Sequence, residues 1–377
     1  MNAPKTVQAT SLACFVLFGI SASAQHRRVT DAEVREVHKS ALPIDTHNDV
    51  TSRTVDGFDI GKRSPDGHTD LPRLREGGVG AVFFAVYVAA DYAKENHSAN
   101  RALQMIDTVR HDIVARHPQD FQLALSAADI EAARKNGKIA ALMGLEGGHA
   151  IEDSVRLVRD FYALGIRYMT LTHNNTNGWA DSSGDIKNAG VEHHNGLTDL
   201  GRQIVLEMNR LGMIVDISHV ADKTFWDALE TSRAPIFASH SSCRAISNIA
   251  RNMTDEMIVA LARKGGVIQI NFGCDFVSQK SADAVRAHQK TVRAQLSDVV
   301  ENIEHVVKIA GVDAVGIGSD FDGVKCVPVG LEDVSKFPAL TRALLEKGHS
   351  AEDIRKIYGG NTLRLMRAVE SARQEIH

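Results

Sequence analysis

The 377-residue chain has no block of five or six like charges, and its formal net charge is only -4. This excludes a basic arm for nucleic acid and an acidic solvating tail. Cysteine is scarce: Cys14, Cys243, Cys274 and Cys326 are widely spaced and form no CxxC pair. That spacing excludes a cysteine metal clip and a disulfide framework. At most one disulfide could form among the last three, and nothing in the sequence says which. The C-terminal SARQEIH has no apolar tail, so no glycosylphosphatidylinositol-type anchor is expected. Linkers rich in Pro, Gly or Ser, low-complexity tracts and internal repeats are also missing, which argues for one domain.

The first 24 residues read as an export leader. Lys5 gives a weakly positive start, LACFVLFGI (12–20) is a short apolar run, and SASA (21–24) before Gln25 has the small-x-small pattern of a signal-peptidase site. The run falls short of the roughly 20 residues that span a bilayer. Cys14 lies inside it rather than after it, against lipoprotein processing. The expectation is a protein exported to the periplasm or secreted, with 1–24 removed and 25–377 as the mature domain.

What is present is alternation. Strand-like runs occur at 42–47, 80–88, 138–146, 166–173, 213–219, 235–240, 266–272 and 314–320, separated mostly by amphipathic stretches such as 100–117, 126–137 and 255–266. The stretch from 126 opens with a capping-box pattern, Ser126 and Asp129, and the last closes on glycines. Strands that are apolar nearly throughout are buried on both faces, and alternation with helices predicts a parallel sheet. The predicted fold is α/β, a single-domain (β/α)8 TIM-like barrel with extra helices; a doubly wound open sheet is the alternative.

The predicted strands end on His47 and Asp49, Glu146, His173, His219, His240 and Asp320. In a barrel these ends meet at one mouth. Neutral imidazoles with carboxylates and no cysteine suit a borderline divalent ion such as Zn²⁺, and there are enough ligands for two ions. Glu146, within GLEGGH, is placed to bridge them, and the surrounding glycines would let the backbone approach a crowded centre. Two ions sharing a carboxylate are a hydrolase arrangement.

These residues fall in motifs that resemble the membrane (renal) dipeptidases, zinc peptidases among the amidohydrolase-like metal-dependent barrels. The matching stretches are IDTHND at 44, HTDLPRLREGGVGAVFFAVYV from 68, GLEGGH at 144, RYMTLTHN at 167, DISH at 216, SHSS at 239, RN at 251, GIGSDFDG at 316 and GLEDVSKFP at 330. The resemblance covers nearly the whole mature chain.

It implies a zinc-dependent dipeptidase that cleaves dipeptides with a free C-terminal carboxylate. His47 and Asp49 would hold one zinc, His219 and His240 the other, and Glu146 both, together with a hydroxide. His173 would bind substrate near the scissile carbonyl, Asp320 would take and return the proton, and Arg251 would receive the terminal carboxylate. The plainer reading of Arg251 is a loop residue paired with Asp255 or Glu256. Asp45 reads as a supporting carboxylate, Asp322 as a loop carboxylate capping backbone donors, His193 and His194 as surface residues, and Trp179 as packing near the mouth.

The chain also departs from the animal members, which carry a cysteine near the position of Asn175 and a C-terminal anchor signal. No membrane anchor is expected, covalent dimerisation is in doubt, and subunit number stays open, a homodimer included. The loop GCDF after residue 272 replaces a more tyrosine-rich segment, so substrate preference is not carried over. The alternative function is another binuclear amidohydrolase, a lactonase or cyclic-amide hydrolase.

Overall fold

The computed structural model describes residues 28–94 and 96–373, with residues 1, 3 and 4. The expected leader lies almost wholly outside them. Among the described residues nine strands occur, in the order β1 (Ile44–Asn48), β2 (Ala81–Tyr87), β3 (Phe121–Leu123), β4 (Ile139–Glu146), β5 (Ile166–Thr170), β6 (Ile214–Asp216), β7 (Phe237–Ser241), β8 (Val267–Ile270) and β9 (Val315–Ile317). Eight of them pair in parallel in the order β1-β2-β4-β5-β6-β7-β8-β9, and β3 sits outside that path on β4. The predicted strands are the eight; β3 was not predicted. Past the strand ends, Asp320 N–H donates to His47 O (3.0 Å) and Asp49 N–H to Phe321 O (2.9 Å), drawing the last unit onto the first. The result is a nearly closed (β/α)8 barrel.

Apolar residues on successive strand positions explain the closure. Phe83, Leu142, Tyr168 and Phe237 pack inside the barrel, while Phe84, Met143 and Met169 face the surrounding helices. Each of the eight barrel strands buries both faces almost throughout, so the pleat's alternation separates two cores rather than core from solvent. Helices fill the outer layer. The helix Ala127–Lys135 begins where predicted, with Ser126 Oγ accepting from Asp129 N–H at 3.1 Å. Asp129 does not complete the box; its carboxylate accepts from Leu125 N–H at 2.9 Å. The stretch 100–117 runs as an α-helix over Ser98–Thr108 and then widens to a π-helix over Val109–Ala115. No helix among the described residues is long and apolar enough to cross a membrane.

Candidate metal centre

Three loops carry the chemistry past the ends of their strands. β5, β6 and β9 stop at Thr170, Asp216 and Ile317, three residues short of His173, His219 and Asp320. His219 (φ 67°) and Asp320 (φ 60°) adopt left-handed backbone, which is costly for residues with a Cβ and persists where the surroundings enforce it. His47 and His240 lie within β1 and β7, Glu146 is the last residue of β4, and Arg251 follows in the loop after β7.

These residues meet around Glu146. Its Oε2 lies 3.4 Å from His47 Nε2, while Oε1 lies 3.0 Å from His219 Nε2 and 3.3 Å from His240 Nε2. The two imidazole nitrogens of His219 and His240 are themselves 3.0 Å apart. Asp49 Oδ2 is 3.2 Å from His47 Nε2. Ligand-type atoms within 4.8 Å of one another form the groups His47, Glu146, His240; Glu146, His173, His219; and His47, Asp49, Asp320. His173 and Asp320, set apart in the sequence as substrate-side residues, thus also lie within reach of a bound ion.

The outward nitrogens of the imidazoles are anchored. His47 Nδ1 meets Tyr168 Oη at 2.7 Å, His219 Nδ1 meets Asn174 Oδ1 at 3.1 Å, and His240 Nδ1 meets Ser239 Oγ at 2.8 Å. Ser239 Oγ in turn donates to Asp216 Oδ2 at 2.6 Å. Such partners fix ring orientation and tautomer at metal sites. Inward, His47 Nε2 is buried with no hydrogen-bond partner. Burial above all, with the Arg251 cation adding to it, holds the imidazoles of His219 and His240 well below their ordinary pKa. Burial and the charge of Asp49 push Asp320 well above the carboxylate range. Neutral imidazoles facing crowded carboxylates make a donor set that a divalent cation relieves.

A cavity of about 370 Å³ opens onto this cluster, bounded by Tyr87, His173, Asn174, Arg251, Phe276 and Asp320. Arg251 Nη2 donates to His240 O at 2.8 Å, while its Nε and Nη1 are buried without partners. Burial brings its pKa down to about 10. Asp255 pairs with His305 instead, at 2.7 Å. A larger cleft of about 960 Å³ is lined by residues including Asp181, Lys223 and Arg244. It contains none of the clustered residues, and Arg244 and Lys223 are engaged by Asp222 and Asp227. The smaller cavity is the one that opens onto the clustered residues.

Other predicted residues fall outside the cluster. Asp45 is used up by Ser319 N–H (2.8 Å), Ser319 Oγ (2.7 Å) and Asn48 Nδ2 (3.1 Å). Asp322 accepts from His68 N–H at 2.8 Å. His194 is exposed and Trp179 fully buried. The glycines of GLEGGH make room for close neighbours: a Cβ on Gly144 would sit 1.9 Å from the Tyr168 ring, and one on Gly148 would meet Leu171 O at 2.2 Å and Trp179 at 2.5 Å. Sequence reasoning missed Tyr87, Tyr168, Asn174 and Phe276. Tyr168 and Asn174 stand in the quoted RYMTLTHN, and Phe276 in the flagged loop, so the stretches were in view without the contacts.

Comparison with known proteins gives the family. The model of the membrane dipeptidase family, peptidase family M19, matches residues 31–377. The chain belongs to this family. It is therefore an M19 metallo-dipeptidase, a hydrolase acting on the peptide bonds of small peptides. An uncharacterized dipeptidase of Schizosaccharomyces pombe is 35% identical over 365 residues, covering 92% of this chain and 85% of that protein. Among solved structures, the probable dipeptidase PvdM from Pseudomonas aeruginosa superposes with a TM-score of 0.81 at 25% identity, covering 90% of this chain and 98% of that one. A metallopeptidase from Rhodobacter sphaeroides, liganded with a phosphinate mimic of the dipeptide L-Ala-D-Ala, gives 0.77 at 26% identity over 87% and 99%.

Proposed function

We propose that this M19 enzyme is a zinc dipeptidase with two ions per chain, acting on dipeptides that carry a free C-terminal carboxylate. One observation carries the reading: the two oxygens of Glu146 face different imidazoles, Oε2 toward His47 and Oε1 toward His219 and His240. A carboxylate divided in this way suits a bridging role. His47 and Asp49 would hold one ion, His219 and His240 the other, and Glu146 both. His47 Nε2, which makes no hydrogen bond yet faces Asp49 Oδ2 and Glu146 Oε2, supports the fit. When bound, two zinc ions supply an acidified water and polarise the scissile carbonyl.

The protein's own groups do the rest. Asp320 Oδ2 accepts from Asn271 Nδ2 at 2.7 Å, which orients the carboxylate for taking a proton from the attacking water and returning it to the leaving amine. His173, with Tyr87 edge-on at 4.9 Å, faces the cavity as donor to the developing oxyanion. Arg251 offers two free guanidinium nitrogens to the substrate carboxylate. The dipeptide mimic in the Rhodobacter sphaeroides relative supports this substrate class. Export is supported by the disulfide between Cys274 and Cys326, a bond that persists in oxidising compartments.

The test is elemental analysis of the purified protein, with hydrolysis of a dipeptide library beside a panel of lactones. About two zinc ions per chain and chelator-sensitive dipeptide cleavage are expected. Metal content near zero, activity that survives chelation, or turnover of lactones alone would overturn the reading.

A further inference from the structure

One short turn connects the two residues that flank the substrate in the reading above. It is a helical turn over Cys274–Val277, directly after Gly273. On one side it supports the Arg251 loop. Phe276 O accepts from Asn252 Nδ2 (2.8 Å), Asp275 O accepts from Ser247 Oγ (2.6 Å), and Arg251 Cζ stands 5.4 Å from the centroid of the Phe276 ring. On the other side it supports Asp320. Asn271 Oδ1 accepts from Gly273 N–H at 2.6 Å while its amide donates to Asp320 Oδ2 at 2.7 Å.

The turn is fastened to the loop that leaves Asp320. Cys274 is disulfide-bonded to Cys326, with Cα atoms 5.4 Å apart, and Cys274 N–H donates to Cys326 O at 3.0 Å. A four-residue helix has too few backbone bonds to hold an aromatic ring in place unaided. The covalent link supplies that constraint, and it does so at the cavity wall, since Phe276 lines the cavity with Arg251 and Asp320. Neither cysteine belongs to the metal-binding cluster.

We infer that the Cys274–Cys326 disulfide is a specificity element, fixing Phe276 against Arg251 on the cavity wall that they share with Asp320, and so setting where the substrate's terminal carboxylate lies relative to the proton-transferring group. The inference rests on the dipeptidase reading. Phe276 contributes by holding the guanidinium against its ring face, and the disulfide acts through Phe276 as a positioning element. Opening the bond therefore frees the Phe276 end of the turn and loosens carboxylate recognition, while the Asn271–Asp320 bond, which lies before the turn, and the metals stay in place.

The experiment compares kcat and KM for a dipeptide and its C-terminal amide in the wild type, in C274A/C326A and in Phe276→Leu, with zinc content measured for each. The wild type should prefer the free acid. C274A/C326A should keep its zinc and its amide turnover yet lose about tenfold of that preference, through a higher KM for the acid, the size expected for a desolvated cation–aromatic contact. Phe276→Leu should lose a similar factor with the disulfide intact, and combining the changes should add little. A preference that stays undiminished in C274A/C326A with zinc retained overturns the inference. So does an undiminished preference in Phe276→Leu, which decides the matter if C274A/C326A does not fold. A wild type that cleaves acid and amide alike overturns instead the underlying assignment of Arg251, and this inference with it.

Discussion

The hydroxyl of Tyr168 lies 2.7 Å from Nδ1 of His47, across the barrel interior. An imidazole that presents Nε2 to a cation must carry its proton on Nδ1, so this ring donates to the tyrosine oxygen and is held in one tautomer. Gly144 leaves the room that the Tyr168 ring occupies. Tyr168→Phe keeps the ring and removes the partner. It should weaken zinc binding by about 10- to 100-fold, measured by competition with a chelator, with little change in melting temperature. Unchanged affinity would mean that the hydroxyl does not orient His47.

Glu146→Gln removes the charge from the one group that faces His47 on one side and His219 and His240 on the other. Because both ions are proposed to depend on it, zinc content should fall well below that of the wild type, and dipeptide cleavage with it. Substituting an exposed carboxylate such as Asp107 serves as the control. Equal zinc content in the two variants would remove Glu146 from the bridging position.

Asp320→Asn tests whether that side chain moves a proton or holds an ion. Its carboxylate lies within reach of the ligand atoms of His47 and Asp49, so geometry permits either role. As a proton carrier, its loss should lower kcat by about 10²-fold or more while zinc stays bound. Loss of zinc from the variant would reassign Asp320 as a ligand.

The barrel was legible because parallel strands buried on both faces read as unbroken apolar runs such as AVFFAVY, and the candidate cluster because ligand-type residues close those runs. What escaped depends on where loops meet. The strands before His173, His219 and Asp320 were drawn three residues too long, since a left-handed turn at His219 or Asp320 leaves no apolar trace. β3 spans only three residues, Phe121–Leu123, too few for a pattern. Tyr168 meets His47 across 121 residues of sequence, and Cys274 meets Cys326 across 52. Neither pairing has a local signal.

His38 gives the fold a pH dependence remote from the site. Its Nε2 bonds Gly77 O at 2.8 Å and its Nδ1 bonds Thr341 Oγ1 at 2.7 Å, and burial lowers its pKa below the ordinary value. The unfolded chain therefore takes up the proton first. Stability is fully present above about pH 6.5 and falls as the pH drops from there toward the lower folded-state pKa. Melting temperature against pH should decline more steeply on the acid side in the wild type than in His38→Gln. Parallel curves would show that His38 does not contribute.

Substrate length should be read by Arg251. A dipeptidase rejects longer chains if a guanidinium at a fixed distance from the scissile bond pairs with the carboxylate one residue beyond it, and a planar fork suits that anion. Arg251 has the free nitrogens for it, is anchored through Nη2 to His240 O and by the Phe276 ring, and remains a cation at neutral pH with a pKa of about 10. Removing one member of a desolvated charge pair costs about 2 to 5 kcal/mol, so amidating the C-terminus should lower kcat/KM at least tens of times. Arg251→Ala should show the same loss on the free dipeptide and little further loss on the amide, because both changes delete one interaction. Measuring both substrates with both proteins closes the cycle. An amide penalty that persists undiminished in the variant would place the carboxylate receptor elsewhere in the cavity.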